Sequence, residues 1–291
     1  MSYYHCLISG LPSITLDDHK QIYSVAGFKA ELDLILSGHD RRIINRFFLK
    51  YDNRNLLSYL WKNSACTFDG RGVYTEEEIR EVCDLLKSED RVPAGIAVPA
   101  YFADFIRDCY ERLESNGDTE MRQLWEDRLS SLYYHEAMQC ENKFMALWFE
   151  LNLNIGNMMT AYNCRKYGLD GDDYIIGDTE TAKILRRSGV RDFNTGNAPD
   201  YMSELVQIIE EDDFMMREKR LDVLRWNWLE EETFFKPFGI ESVIAYLLQL
   251  EMIERWLVLD KAYGEKTFRR LVAEMKRGSS ETLEEFKENN K

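Results

Sequence analysis

Proline placement is the strongest constraint on this chain. Only five prolines occur, Pro12, Pro93, Pro99, Pro199 and Pro237, so nothing between Pro99 and Pro199 forbids long helices. From Asp118 to Gly168 a single glycine, Gly156, interrupts a helix-compatible run. One straight helix of that length would extend ~75 Å, too long for one compact core. The run therefore reads as a bent helix, or as two helices meeting near Asn152–Gly156.

Helical signals continue on either side. Thr75-Glu76-Glu77-Glu78 has the spacing of a capping box, followed by the apolar Ile79, Val82, Leu85 and Leu86. Phe102, Phe105, Ile106, Cys109 and Leu113 form a stripe at helical spacing. Asp178–Ser188, Asp200–Glu211, Phe214–Phe235 and Ile240–Tyr263 read as further helices. In the last, Val243, Tyr246, Leu250, Ile253 and Leu257 line one face. Strand-like alternation is confined to Tyr3–Leu11 and Arg91–Val98. The expected class is all-α.

Apolar residues make up 45% of the 291 and aromatics 13%, enough side-chain surface for a real core. The formal net charge of −15 argues against nucleic-acid binding and against adsorption to an anionic bilayer. No run approaches the ~20 apolar residues of a membrane span, and the first residues lack the features of a signal peptide. The six cysteines are scattered at Cys6, Cys66, Cys83, Cys109, Cys140 and Cys164, a spacing that favours free thiols in a reducing compartment.

Chemistry-bearing motifs are scarce. No zinc-protease, P-loop or nucleophile-elbow pattern occurs. His135 and Glu136 with Glu141 read as solvated or capping groups. Gly168-Leu169-Asp170-Gly171-Asp172-Asp173 lacks the spacing of a calcium loop and reads as a turn. The runs Glu210–Asp213 and Glu230–Glu232 read as solvated faces, because neighbours on a helix point apart. Trp226, Trp228, Phe234, Phe235 and Phe238 read as core. No catalytic residue, cofactor or metal is expected. A basic stretch with Lys266, Arg269 and Arg270 is a candidate docking face, and the residues from 278 read as a polar, fraying tail.

One internal similarity stands out. An offset of 102 residues lays Phe47, Asp52, Asn55 and Ser58 on Phe149, Asn154, Asn157 and Thr160. Each unit is an apolar segment, an Asx suited to capping a helix, and an Asn three residues later beside Leu-Leu or Met-Met. A buried Asn must find partners, since each unmatched group costs ~1–3 kcal/mol. Asp52, Asn55, Asn154 and Asn157 are therefore expected to pin neighbouring loops.

Those residues carry a resemblance. Tyr51-Asp52-Asn53-Arg54-Asn55-Leu56-Leu57, and Asn154-Ile155-Gly156-Asn157-Met158-Met159 continuing to Arg165-Lys166-Tyr167-Gly168, resemble the repeats of a rotary-ATPase family. That family is the central-stalk component of V-type and A-type ATPases designated C in bacteria and archaea and d in eukaryotes. Phe238 to Glu251 resembles its last repeat. The chain departs beyond, with Trp256 where an Asn is usual and Ile253 where an acid is usual. The N-terminal Tyr3-Tyr4-His5-Cys6-Leu7-Ile8-Ser9-Gly10-Leu11-Pro12 is similar to an uncharacterised bacterial family encoded beside V-type ATPase components. The resemblance implies a funnel-shaped body of three fused, pseudo-repeated helical lobes, at 1–98, 99–198 and 199–277. It implies a non-catalytic central-stalk role, with the membrane rotor ring and the central axle as partners. It further implies a cytoplasmic location, peripheral to the inner membrane through protein contacts alone. A helical adaptor of another cytoplasmic assembly is the alternative.

Overall fold

The computed structural model describes residues 4–18, 20, 23–61, 67–88, 98–116, 122–187 and 199–259. The regular structure of the described residues is helical, with no strand among them. The helices are α1 (His5–Gly10), α2 (Val25–Ile35), α3 (Gly38–Leu60), α4 (Glu76–Ser88), α5 (Ala100–Asn116), α6 (Arg122–Met138), α7 (Lys143–Tyr167), α8 (Glu180–Arg187), α9 (Met202–Ile209), α10 (Phe214–Thr233) and α11, residues 240–259.

Local chemistry sets most helix starts. Ser24, Ser37, Asn142 and Asp213 each accept a backbone N–H three residues on, from Gly27, Asp40, Met145 and Met216. The capping box is reciprocal. Glu78 N–H donates to Thr75 Oγ1 at 3.2 Å, and Thr75 N–H donates to Glu78 Oε2 at 2.8 Å. At the end of α7, Gly168 takes a left-handed conformation (φ 70°), and Leu169 N–H reaches back to the Cys164 carbonyl at 2.8 Å.

Three expectations need correction. The strand read at Tyr3–Leu11 is instead the single helical turn α1, whose entry is held by Tyr4 N–H on the Phe238 carbonyl. A strand needs a partner ladder, and this segment packs against α3 and the α10–α11 turn. There Tyr4 Oη bonds Asp40 and the His5 ring meets Phe238. The segment 91–97 lies outside the described residues. The break in the long run falls at Gln139–Asn142, not at Asn152–Gly156. Asn142 starts a new helix there, whereas Asn152 donates to the Trp148 carbonyl four residues back and leaves α7 continuous. Gly156 sits on an open face of α7. Finally, Phe234 and Phe235 do not join the core. They are 73% and 88% exposed on the α10–α11 turn, while Trp226 is buried.

Nearly all the buried apolar residues of α2–α11 form one continuous core. Helix α7 packs on α6, α8 and α9; α3 packs on α4 and α6; α10 packs on α9. Helices α3, α7 and α11 each contribute residues to the wall of a central cavity of about 1000 Å³.

Candidate functional site: pinned loops around a central cavity

Burying a polar side chain is costly unless it is matched, so the buried polar groups mark where the fold holds its geometry most tightly. Among the described residues they are Asp40, Asp52, Asn53, Asn55, Asn154, Asn157, Thr181 and Asp222. Half of these are the residues singled out by the internal similarity.

Asn55, inside α3, makes a two-bond clamp on the loop that follows. Its Nδ2 donates to the Asp69 carbonyl at 3.0 Å, and its Oδ1 accepts from Asp69 N–H at 2.9 Å. Asn157, inside α7, does the same to its own loop. Nδ2 donates to the Ile176 carbonyl at 2.8 Å, and Oδ1 accepts from Ile176 N–H at 3.1 Å. A carboxamide matches one backbone donor and one acceptor at once, which explains the residue type.

Both clamped loops are held again by a cation and end at a threonine. Lys29 Nζ donates to the Arg71 carbonyl at 3.0 Å and also to that of Gly72. Arg186 donates to the Ile175 and Gly177 carbonyls at 2.6 and 2.8 Å. The first loop enters α4 through the Thr75 cap. The second enters α8 through Thr179, whose Oγ1 accepts from Ala182 N–H at 3.1 Å.

Asp52 and Asn154, three residues earlier, are placed differently from the expectation. Neither caps its own helix, since both lie well inside one. Asp52 instead accepts from the N–H groups of Val73 and Tyr74, at 2.8 and 3.1 Å, in the loop clamped by Asn55. Gly72 is required there, because a Cβ at that position would run into the Asp52 carboxylate. Asn154 donates to Tyr201 Oη at 2.9 Å, and its Oδ1 has no partner among the described residues.

Burial pushes the Asp52 carboxyl up to about 6, against the two amides and the nearby Lys29 charge, which pull it down. Between its ordinary 3.8 and about 6, the native chain keeps a proton that the unfolded chain has released. The contribution of Asp52 to stability therefore falls as pH rises through that window and is level above it. The difference in unfolding free energy between wild type and Asp52→Asn is expected to shrink from pH 4 to pH 6. A difference that widens over that range contradicts the assignment.

The repeat read at Phe238 to Glu251 leads to a third station, whose Glu254 sequence reasoning misses. Helix α11 keeps the aromatic, plus five, plus three spacing as Tyr246, Glu251 and Glu254. An asparagine sought near Trp256 draws attention away from it. Glu254 accepts from Val25 N–H at 2.9 Å, at the residue after the Ser24 cap of α2. Glu251 accepts from Tyr51 Oη and pairs with Lys50. Glu254 also pairs with Arg71, whose guanidinium lies 4.2 Å from the Tyr51 ring centre. Burial lowers the Lys50 ammonium, with the Glu251 carboxylate opposing it. The common signal of the three stations is a polar acceptor on a long helix holding the approach to a Ser- or Thr-capped helix.

The cavity lies between these helices. Its charged wall is formed by Lys50, Arg54, Arg71, Arg225 and Arg255, against Glu126, Asp222, Glu251 and Glu254. Five cations against four carboxylates reverse the sign of a chain whose net charge is −15. On the far side Asp222, fully buried, binds Arg225 at 2.8 Å, Trp256 Nε1 at 2.8 Å and also Arg255. Arg225 continues to Asn152 Oδ1 at 3.0 Å. The cavity wall also carries Phe47, Tyr51, Trp61, Tyr133, Trp148 and Phe149.

The other candidates are scattered. Lys266, Arg269 and Arg270 lie outside the described residues. His135 Nε2 is 2.9 Å from Gln139 Nε2 on an exposed face of α6. Asp213 of the Glu210–Asp213 run caps α10.

The model of the family described as protein of unknown function (DUF2764) matches residues 1–279, so the chain belongs to that family. No curated protein matches the chain.

Proposed function

We propose that this DUF2764 protein is a non-catalytic central-stalk component of a V-type ATPase, linking the axle to the membrane rotor ring. The observation that carries this reading is the repeated pinning of capped helices by α3, α7 and α11 around one cavity. A part seated between an axle and a ring must pass load between its walls without yielding. Buried, two-bond clamps on the loops between helices favour that role, because each loop is tied to a long helix at two points. The sequence resemblance points to the same assembly, and the lobes at 1–98, 99–198 and 199–277 follow from it. Its partners are then the ring and the axle, with no nucleic acid and no cofactor. No helix among the described residues is long and apolar enough to cross a membrane, so in this reading the ring is reached through protein contacts.

The test is isolation of the tagged chain from gently solubilised membranes of its own host. Ring and stalk components of the rotary ATPase are expected to copurify in fixed proportion and to remain through a wash at moderate salt. A preparation in which the folded chain never retains them overturns the proposal. The exposed Phe234–Phe235 pair, with ring centres 4.9 Å apart, favours the adaptor reading. A fixed-stoichiometry complex with a non-rotary partner, lost in Phe235→Ala, would establish it instead.

A further inference from the structure

The central cavity is open on one side and has a volume of about 1000 Å³, at the upper end of the range for small-ligand sites. Its cations are already matched. Lys50 pairs with Glu251, Arg71 with Asp69 and Glu254, Arg225 with Asp222, and Arg255 with Asp222 and Glu218. Arg54 adds its charge to that of Arg71 beside Asp69. Five cations thus face five carboxylates, and an anion entering the cavity would have to displace one of these from its partner.

One wall differs. Helix α6 brings Glu126, Ser130 and Tyr134 to the cavity at a spacing of four residues, which sets them on one face over ~12 Å. None of the three makes a hydrogen bond or an ion pair among the described residues. Residues of the same types elsewhere in the cavity are engaged. Tyr51 Oη donates to Glu251, and Tyr133 Oη donates to the Arg46 carbonyl at 3.0 Å. Asp222, Glu251 and Glu254 all hold cations, so Glu126 is the wall carboxylate left over. What α6 offers the cavity is a row of three open acceptors, one of them charged.

The rings supply the rest. A cation over an aromatic face is attracted to it, more strongly where water is excluded. The cavity already makes this contact twice. Lys50 Nζ lies 3.9 Å from the Phe47 ring centre, and the Arg71 guanidinium lies 4.2 Å from that of Tyr51. The rings of Tyr134 and Trp148 line the cavity and carry no cation among the described residues.

We propose that the central cavity binds a small organic cation, a primary ammonium on an aromatic body. Glu126 is its counter-charge, Ser130 and Tyr134 accept hydrogen bonds from the ammonium, and the body lies among the rings of Tyr134 and Trp148. The matched cations opposite hold the walls in place and take no part in recognition. The site is a property of the isolated chain and stands or falls without reference to the rotary reading.

Titration of the full-length chain with three probes of one shape tests it, followed by tryptophan emission and by calorimetry. The probes are 2-phenylethylamine, the neutral 2-phenylethanol and the anionic 3-phenylpropionate, at pH 7 and fixed ionic strength. The amine is expected to bind saturably with one site per chain, at least tenfold more tightly than either analogue. Glu126 is exposed, so Glu126→Gln keeps the fold, and it is expected to bring the amine down to the affinity of the alcohol. Tyr134→Phe is expected to weaken the amine about threefold and leave the alcohol within twofold. Glu81→Gln, on an exposed position of α4 outside the cavity, is expected to change nothing. Absence of saturable amine binding to the wild type overturns the proposal, as does equal affinity for the three probes. Full amine affinity in Glu126→Gln also overturns it. So does an equal loss in Glu126→Gln and Glu81→Gln, which would reduce the effect to attraction by the net charge of −15.

Discussion

Asn55→Leu and Asn157→Leu are each expected to lower the unfolding midpoint by about 5–10 °C. Each substitution leaves one loop N–H and one loop carbonyl without a partner, at Asp69 and at Ile176. An unmatched buried group costs ~1–3 kcal/mol, and water reaches these half-buried loops, so about 2–3 kcal/mol per site follows. For a chain of this size that corresponds to a few degrees per kcal/mol. Leucine keeps the branched shape of asparagine while removing its donor and acceptor. The loss therefore reports the hydrogen bonds and not a cavity. The two clamps share no partner, and the double variant is expected to show the sum of the two losses. Thermal unfolding followed by circular dichroism measures this. A shift under about 2 °C for both single variants would mean that the clamps contribute nothing to stability, and the shared geometry would be incidental.

The second large effect is expected at Asp222. Its carboxylate is the common acceptor for Arg225, Arg255 and Trp256 Nε1, and it is 1% exposed. Asp222→Ala leaves three donors facing a buried void. Removing one partner of a buried ion pair costs ~3–5 kcal/mol. Here Arg255 keeps Glu218 and Arg225 keeps Asn152, both partly in water, so about 2–3 kcal/mol is expected. The change also frees two cations into the cavity wall. Denaturant unfolding is expected to show the loss at low salt, with part of it recovered as salt screens the two guanidinium groups. A variant as stable as the wild type would show that α10 and α11 are joined by apolar packing alone.

Cavity and clamps belong to one construction. Lys50, Tyr51 and Arg71 tie the first station to the third through Glu251 and Glu254. Asn152, Arg225, Asp222 and Arg255 tie α7 to α10 and α11. The walls around the hollow are thus cross-linked by charge, and Arg54, exposed on α3, adds its charge to that of Arg71 in holding the Asp69 carboxyl below its ordinary range.

What sequence determined by itself was local. Helical periodicity, the Thr75–Glu78 box and the solvated acidic runs depend on residues within about one turn of each other, so their physics is complete in the primary structure. The burial of Asn55 and Asn157 was also legible, because an amide beside Leu-Leu or Met-Met leaves little alternative. Tertiary structure alone decided the rest. Asn55 meets its loop 14 residues away and Asn157 meets its loop 19 away, while Glu254 meets Val25 across 229 residues. Nothing local selects such partners; they follow from which helices pack together. The same holds for the Phe234–Phe235 pair, which composition assigned to the core and the α10–α11 turn carried outward. It holds again for the cavity cations, drawn from α3, the loop before α4, α10 and α11. In a chain of net charge −15, where positive charge gathers is set by packing and not by composition.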